Sequence, residues 1–239
     1  MQVDNPGRTA LVTGATGGIG GAVSRLLGEH GITVVGVGRD PDRLDSLAAA
    51  SEEMIDTITC DLSDDGEVQR LGETVLHDRP GLNVVVLAAG AITLGAMSSL
   101  SASEWDRMFA VNVRANARLL GILGPTLKRN GGQVVLISSL AVTAPRAENA
   151  AYAATKAALG VVAQGIRDEY AGHVRVSTVL PGRTDTAMQR YVLDTEERQL
   201  DSDRLLTPHD VALAVLDVVM RPRNVDVAEV RIQPTHPAT

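Results

Sequence analysis

The chain has 239 residues, 44% of them hydrophobic, enough for one substantial core in a single α/β domain spanning residues 1–239. A net charge of −7 argues against nucleic acid or an anionic membrane as the main partner, and no apolar run reaches the ~20 residues of a membrane span. The first eight residues lack the basic start and apolar segment of a secretory leader, and the lone Cys60 cannot close an internal disulfide, so a cytoplasmic, reducing setting is expected.

Residues 9–13 form a short β-rich apolar run, read as a buried strand. Gly14-Ala15-Thr16-Gly17-Gly18-Ile19-Gly20 follows, then a helical pattern with Val23, Leu26 and Leu27 inward that stops at Gly31. Strand, glycine turn and helix form the setting a dinucleotide site requires: glycines let the backbone approach a pyrophosphate, and the helix N-terminus offers free amides. Residues 32–37 make the second strand. Where a carboxylate would meet the ribose hydroxyls of NAD, this chain has Gly38 and then Arg39. A guanidinium suits a 2′-phosphate, which favours NADP(H), with NAD(H) the alternative.

Asp40-Pro41 opens a helix by cap and first-turn preference, with Leu44 and Leu47 inward. Residues 54–60 read as a third strand carrying Cys60 as a buried residue. Asp61-Leu62 follows, where Asp61 either meets an adenine or leads into the next helix. A helix is expected over 68–77 and a fourth strand over 84–87, running into Ala88-Ala89-Gly90, small enough for a ribose to lie close. Residues 103–128 read as one long helix with Trp105, Phe109, Leu119 and a central Asn112 that needs a polar partner.

Residues 133–137 are the fifth strand, ending in Ser138-Ser139, both hydroxyls expected at the carboxyl edge where open α/β sheets bind ligands. Tyr152 and Lys156 lie four apart on a helix and so share a face. An adjacent ammonium favours a phenolate, so Lys156 is expected to lower the pKa of Tyr152 towards neutrality and make it a general acid/base. Residues 174–180 form strand six, followed by Pro181-Gly182-Arg183-Thr184-Asp185-Thr186. Residues 187–206 carry five acids and are read as a flap over the substrate. Thr207-Pro208 begins a last helix with Val211, Leu213, Ala214, Leu216 and Val218, and residues 227–232 are a final strand. The βαβα alternation implies a Rossmann-like, doubly wound parallel sheet of about seven strands, order 3-2-1-4-5-6-7, with helices on both faces. The five histidines are scattered without metal-ligand spacing and are expected at the surface, so no metal site is expected.

From Thr9 to Ile232 the chain resembles the classical short-chain dehydrogenase/reductase family. Thr13-Gly14-x-x-x-Gly18-Ile19-Gly20 fits its cofactor loop; Ser139, twelve residues, then Tyr152-x-x-x-Lys156 fits its catalytic signature; Asn112 fits its helix asparagine. The resemblance implies that Tyr152 exchanges a proton with a carbonyl or alcohol oxygen. It further implies that Ser139 hydrogen-bonds that oxygen, Lys156 tunes Tyr152 and binds the nicotinamide ribose, and Asn112 positions a water. Asp61 would meet the adenine, and Pro181 to Thr186 would hold the nicotinamide carboxamide. One departure is Leu87-Ala88-Ala89-Gly90, where the family often has Asn-Asn-Ala-Gly; the missing asparagine puts local rigidity in question. The resemblance implies NADP-dependent carbonyl reduction, or its reverse, in a homotetramer, or failing that a dimer. A non-catalytic NADP-binding regulator and a sugar-nucleotide epimerase are the competing readings.

Overall fold

The computed structural model describes residues 7–51, 54–199 and 201–236. Its strands are β1 (Thr9–Thr13), β2 (Thr33–Gly38), β3 (Ile55–Thr59), β4 (Leu82–Leu87), β5 (Gln133–Ile137), β6 (Arg175–Pro181) and β7 (Glu229–Ile232). All pair in parallel, in the expected order β3-β2-β1-β4-β5-β6-β7. The helices are α1 (Gly18–Glu29), α2 (Pro41–Ala49), α3 (Asp65–Asp78), α4 (Ala102–Phe109), α5 (Ala115–Asn130), α6 (Ala150–Glu169), α7 (Ala187–Thr195) and α8 (Pro208–Met220).

The central strands are unbroken apolar runs because helices cover both of their faces. Ala10 and Val12 of β1 join a core cluster with α1, α8 and Leu47 of α2, while Leu11 between them joins the opposite cluster with α3, α5 and α6. Strand alternation thus feeds two cores from one sheet. Caps set the helix starts. Asp40 accepts from the Arg43 N–H ahead of Pro41, and Thr207 and Asp210 close a reciprocal box ahead of Pro208. α3 starts three residues before its first inward apolar side chain because Asp64 accepts from the Glu67 N–H.

Three expectations need correction. The stretch 103–128 is not one α-helix: a π-turn over Ala110–Arg114 separates α4 from α5. The turn places Asn112, which is wholly buried, so that Nδ2 donates to Ala91 O (2.8 Å) and Thr155 Oγ1 (2.9 Å) while Oδ1 accepts from Ala91 N (2.7 Å). Those long-range bonds outweigh regular helix geometry there. On α8, Leu213 is exposed, and Ala212, Val215 and Val219 take inward places with Val211, Leu216 and Val218. Cys60 is buried as expected, but just past β3, and burial pushes its thiol up to about 11.

α5 ends at Gly131, which takes the left-handed conformation (φ 61°) that the Asn130-Gly131-Gly132 turn signal suggests. The five histidines are all exposed. Among the described residues no helix is long and apolar enough to cross a membrane.

Candidate active site

A cleft of about 1040 Å³ opens at the carboxyl ends of the strands. Every candidate site residue named from the sequence lines it except Asn112, which stands behind the wall. This is where parallel sheets reverse winding direction, between β1 and β4.

The glycine loop packs flush against the exit of β4. A Cβ on Gly14 would come within 2.8 Å of the backbone of Ala89, one on Gly20 within 2.2 Å of Gly14 O, and one on Gly18 within 2.6 Å of the Thr186 methyl. Gly14 also holds φ 69°, which side-chain-bearing residues rarely adopt. α1 has Gly17 as its N-cap, with no side-chain cap and no acid in its first turn. Its leading N–H groups and positive dipole end are therefore left for an anion. Thr13, wholly buried, accepts from the Ala89 N–H (3.3 Å) and so ties β1 to the exit of β4 where the family asparagine is missing. The bare loop, the uncapped helix and the small residues Ala88, Ala89 and Gly90 fit a dinucleotide lying across the strand ends.

At the far end, Arg39 is exposed beside the loop, and Arg43 Nη2 donates to Thr16 O across it. Asp61 Oδ1 accepts from the Ser63 N–H (2.9 Å) and hydroxyl (2.8 Å). The backbone bond from Ser63 leads in holding the Asp61 carboxyl below its usual range, and Arg39 and Arg107 add to it. Asp61 therefore shapes the loop before α3, but Asp64 is the cap.

The catalytic candidates converge from β5 and α6. Both serines line the cleft, but Ser138 is buried, its hydroxyl donating to Lys156 O (3.4 Å), while Ser139 is partly exposed. Lys156, 3% exposed, donates from Nζ to Ile137 O (2.9 Å) and lies 5.9 Å from the Tyr152 ring centroid. Gly90 sits between the Asn112 amide and this ammonium: a Cβ there would lie 3.6 Å from Asn112 Oδ1 and from Lys156 Nζ. Asn112 reaches Tyr152 through Thr155, whose hydroxyl donates to Tyr152 O (2.7 Å).

The electrostatics differ from the sequence expectation. Burial pushes the Tyr152 phenol up to about 12, against a smaller opposing effect from its hydrogen bond with Ser139. Burial likewise pulls the Lys156 ammonium down to about 8. Desolvation by burial penalises both charged forms and is the leading cause of each shift. Tyr152 therefore holds its proton at pH 7.

On the other wall, Thr184 is buried, donates to Gly182 O (3.0 Å) and bridges to Leu206. Thr186 caps α7 through the Gln189 N–H (3.1 Å). Residues 187–206 begin with this helix, and Arg183 holds Glu196 at its end through two bonds of 2.9 and 2.8 Å. The Gln189 Nε2 is buried without a hydrogen-bond partner among the described residues. Arg43, Arg107, Gln189 and Gln233 also line the cleft. Of these, only Arg43 had a sequence signal, as a second cation in the first turn of the helix following Arg39.

Residues 8–197 match the family model described as short chain dehydrogenase. An uncharacterized oxidoreductase of Staphylococcus aureus (strain N315) is 31% identical over 230 residues, covering 95% of this chain and 97% of its own length. Among solved structures, a metagenomic short-chain oxidoreductase in complex with NADP is 31% identical, with a TM-score of 0.81 over 96% of this chain and 98% of the other. An alcohol dehydrogenase from the archaeon Thermococcus sibiricus, complexed with 5-hydroxy-NADP, is 25% identical, with a TM-score of 0.87 over 97% and 98%.

Proposed function

Because the chain belongs to the short chain dehydrogenase family and is an oxidoreductase on its fold, we propose that it reduces a carbonyl compound to an alcohol, or the reverse, with NADP(H). The observation that carries this reading is the convergence of Tyr152, Ser139 and Lys156 in one cleft with an uncapped glycine loop. When bound, the cofactor supplies the hydride. Tyr152 donates the proton to the substrate oxygen in reduction and takes it back in oxidation. Ser139 donates to that oxygen as its charge grows. Lys156 binds the nicotinamide ribose. Asn112 acts as a positioning residue, holding Ala91 and Thr155, and orders a water between Lys156 and solvent. Asp61 meets the adenine amino group, and Pro181, Gly182, Thr184 and Thr186 hold the carboxamide end. Residues 187–206 act as a flap anchored at Arg183–Glu196 and Thr184–Leu206. The test follows reduced-cofactor absorbance over a broad panel of ketones, quinones and keto sugars; no turnover of any carbonyl by a protein that binds NADPH shifts the reading to the non-catalytic regulator.

NADP is favoured over NAD by Arg39, with Arg43 on the same rim. Arg39→Asp should lower the NADP/NAD ratio of catalytic efficiencies by roughly 10–100-fold, since a charge-assisted bond is worth about 1.5–3 kcal/mol. An unchanged ratio removes Arg39 from cofactor choice.

We further propose self-association into a homotetramer. Val161 on α6 is 73% exposed, and Phe109 at the end of α4 is 39% exposed, stacked at 6.1 Å on Trp105. Ala115 is core, and Val162 packs against it, so neither belongs to this outer face. The glycines Gly121, Gly160 and Gly165 leave open space for a close helix approach. A monomer mass in solution scattering would rule this out.

A further inference from the structure

We propose that Met188 is a cofactor-positioning residue: its thioether tip forms the flap-side wall of the seat, bordered by Gly90 and Lys156, that takes the nicotinamide ribose. This inference rests on the NADP(H) reading above and adds to it a residue with no motif of its own.

The space beside Gly90 defines the seat. A Cβ built on Gly90 would lie 3.6 Å from Asn112 Oδ1, 3.6 Å from Lys156 Nζ and 3.8 Å from Met188 Cε. All three are ordinary van der Waals distances, so the three atoms border one space that has room for a carbon. Asn112 and Lys156 are buried and belong to the body of the fold, the first on the π-turn after α4 and the second on α6. Met188 comes from the first turn of α7, at the start of the flap, and lines the cleft together with Gly90 and Lys156. It is half-buried and belongs to neither core cluster. Its apolar tip is therefore directed at the cleft floor without serving the core.

The turn that carries Met188 is held over the cofactor track at both ends. Thr186 caps α7 by accepting from the Gln189 N–H (3.1 Å). Its methyl packs on the start of α1, where a Cβ on Gly18 would come within 2.6 Å of it. Two residues of one turn thus touch the two halves of the floor, Thr186 at the glycine loop and Met188 at the Lys156 corner. A dinucleotide lying from the loop to Lys156 passes both. The same turn carries Gln189, whose Nε2 is buried without a hydrogen-bond partner among the described residues. Buried donors are ordinarily paired, so the turn has room for an acceptor that the protein itself does not supply.

Lys156 provides the polar contact of the seat, since an ammonium donates to hydroxyls. A point charge on a flexible stem does not by itself fix the height of a sugar above the sheet. An apolar wall facing the same space does so by contact. Methionine suits that task, because it is unbranched, has three rotatable side-chain bonds and fills irregular gaps.

The probes are NADP+ and adenosine 2′,5′-bisphosphate, which is the same molecule without its nicotinamide mononucleotide half. Calorimetry gives both dissociation constants for the wild-type protein and for Met188→Ala, Met188→Leu and Val192→Ala. Alanine should weaken NADP+ roughly 5–30-fold, the worth of the few buried carbon-sized groups it removes, and leave the bisphosphate unchanged. Leucine, close to methionine in volume, should recover most of the loss. Val192, one turn further along α7, also lines the cleft, and its alanine variant should keep both constants. Alanine favours a helix and Met188 is only half-buried, so the variant is expected to fold, which melting curves check. Equal NADP+ affinity in the wild-type and Met188→Ala proteins overturns the inference. Equal weakening of both probes also overturns it, because the change would then act on the cleft as a whole. So does a matching loss in Val192→Ala, which would assign the effect to the flap in general. None of these results touches the NADP(H) reading. A wild-type protein that binds neither NADP+ nor NAD+ removes that reading, and this inference with it.

Discussion

Tyr152→Phe should lower turnover by roughly 10²–10⁴-fold, the usual contribution of a positioned proton donor, while NADPH binding is retained. The substitution removes one oxygen and leaves the ring beside Lys156, so the cleft wall keeps its shape. The phenol is pushed up to about 12, so at neutral pH wild-type Tyr152 holds its proton and is matched to reduction. The opposite direction needs the phenolate, so alcohol oxidation should climb as pH rises through the alkaline range. Single-turnover rates for both proteins, each with its NADPH affinity measured separately, are the check. Turnover preserved in the phenylalanine protein would remove the phenol from the reaction.

Lys156→Met should abolish activity and yet raise stability at pH 7. Burial pulls this ammonium from 10.5 down to about 8. At pH 7 both folded and unfolded chains carry the charge, and the folded one does so at a penalty of about 3 kcal/mol. The bond to Ile137 O is lost with the substitution, which costs about 1 kcal/mol. The net gain of roughly 2 kcal/mol corresponds to a melting point about 4–8 °C higher for a chain of this size. The sign follows from the lowered folded pKa: between about 8 and 10.5 the unfolded chain binds more protons, so wild-type stability rises with pH across that window. The variant has no such rise, and its advantage should fade by pH 10.5. Above pH 10 the raised phenol acts in the other direction, because the folded chain then holds the Tyr152 proton that the unfolded chain releases. Melting points of both proteins at pH 7 and 10 test this; an equal gap at the two values would mean that Lys156 is not strained by burial. A residue that weakens the fold and persists only for chemistry fits a working site.

Most of the sheet was legible because parallel strands buried on both sides must be apolar throughout and end at small residues. Thr9–Thr13 and Gln133–Ile137 match the expected bounds to the residue, and Asp40-Pro41 and Thr207-Pro208 mark helix starts by cap chemistry alone. What was not legible depends on distant partners. The π-turn exists because Asn112 bonds to Ala91 and Thr155, 21 and 43 residues away, and no helical period in residues 103–128 encodes that. The Tyr-Lys spacing put both side chains on α6 and in one cleft but misjudged the direction of the Tyr152 shift, since spacing carries a neighbour's charge and not the depth of burial. Arg107, Gln189 and Gln233 reach the cleft from three separate elements and have no motif of their own.

The packing of α8 against α1 bears on how this molecule is made. Val23, Leu26 and Leu27 of the first βαβ unit share one cluster with Val211, Val215, Val218 and Val219 near the far end of the chain. During synthesis the glycine loop and its helix precede the surface that covers them by five strands, β2 to β6. Until α8 has been translated, the nucleotide-binding half holds an unfinished apolar face. Non-local closure of this kind slows folding and exposes the intermediate to aggregation, and it makes α8 the element that closes this core, ahead of β7.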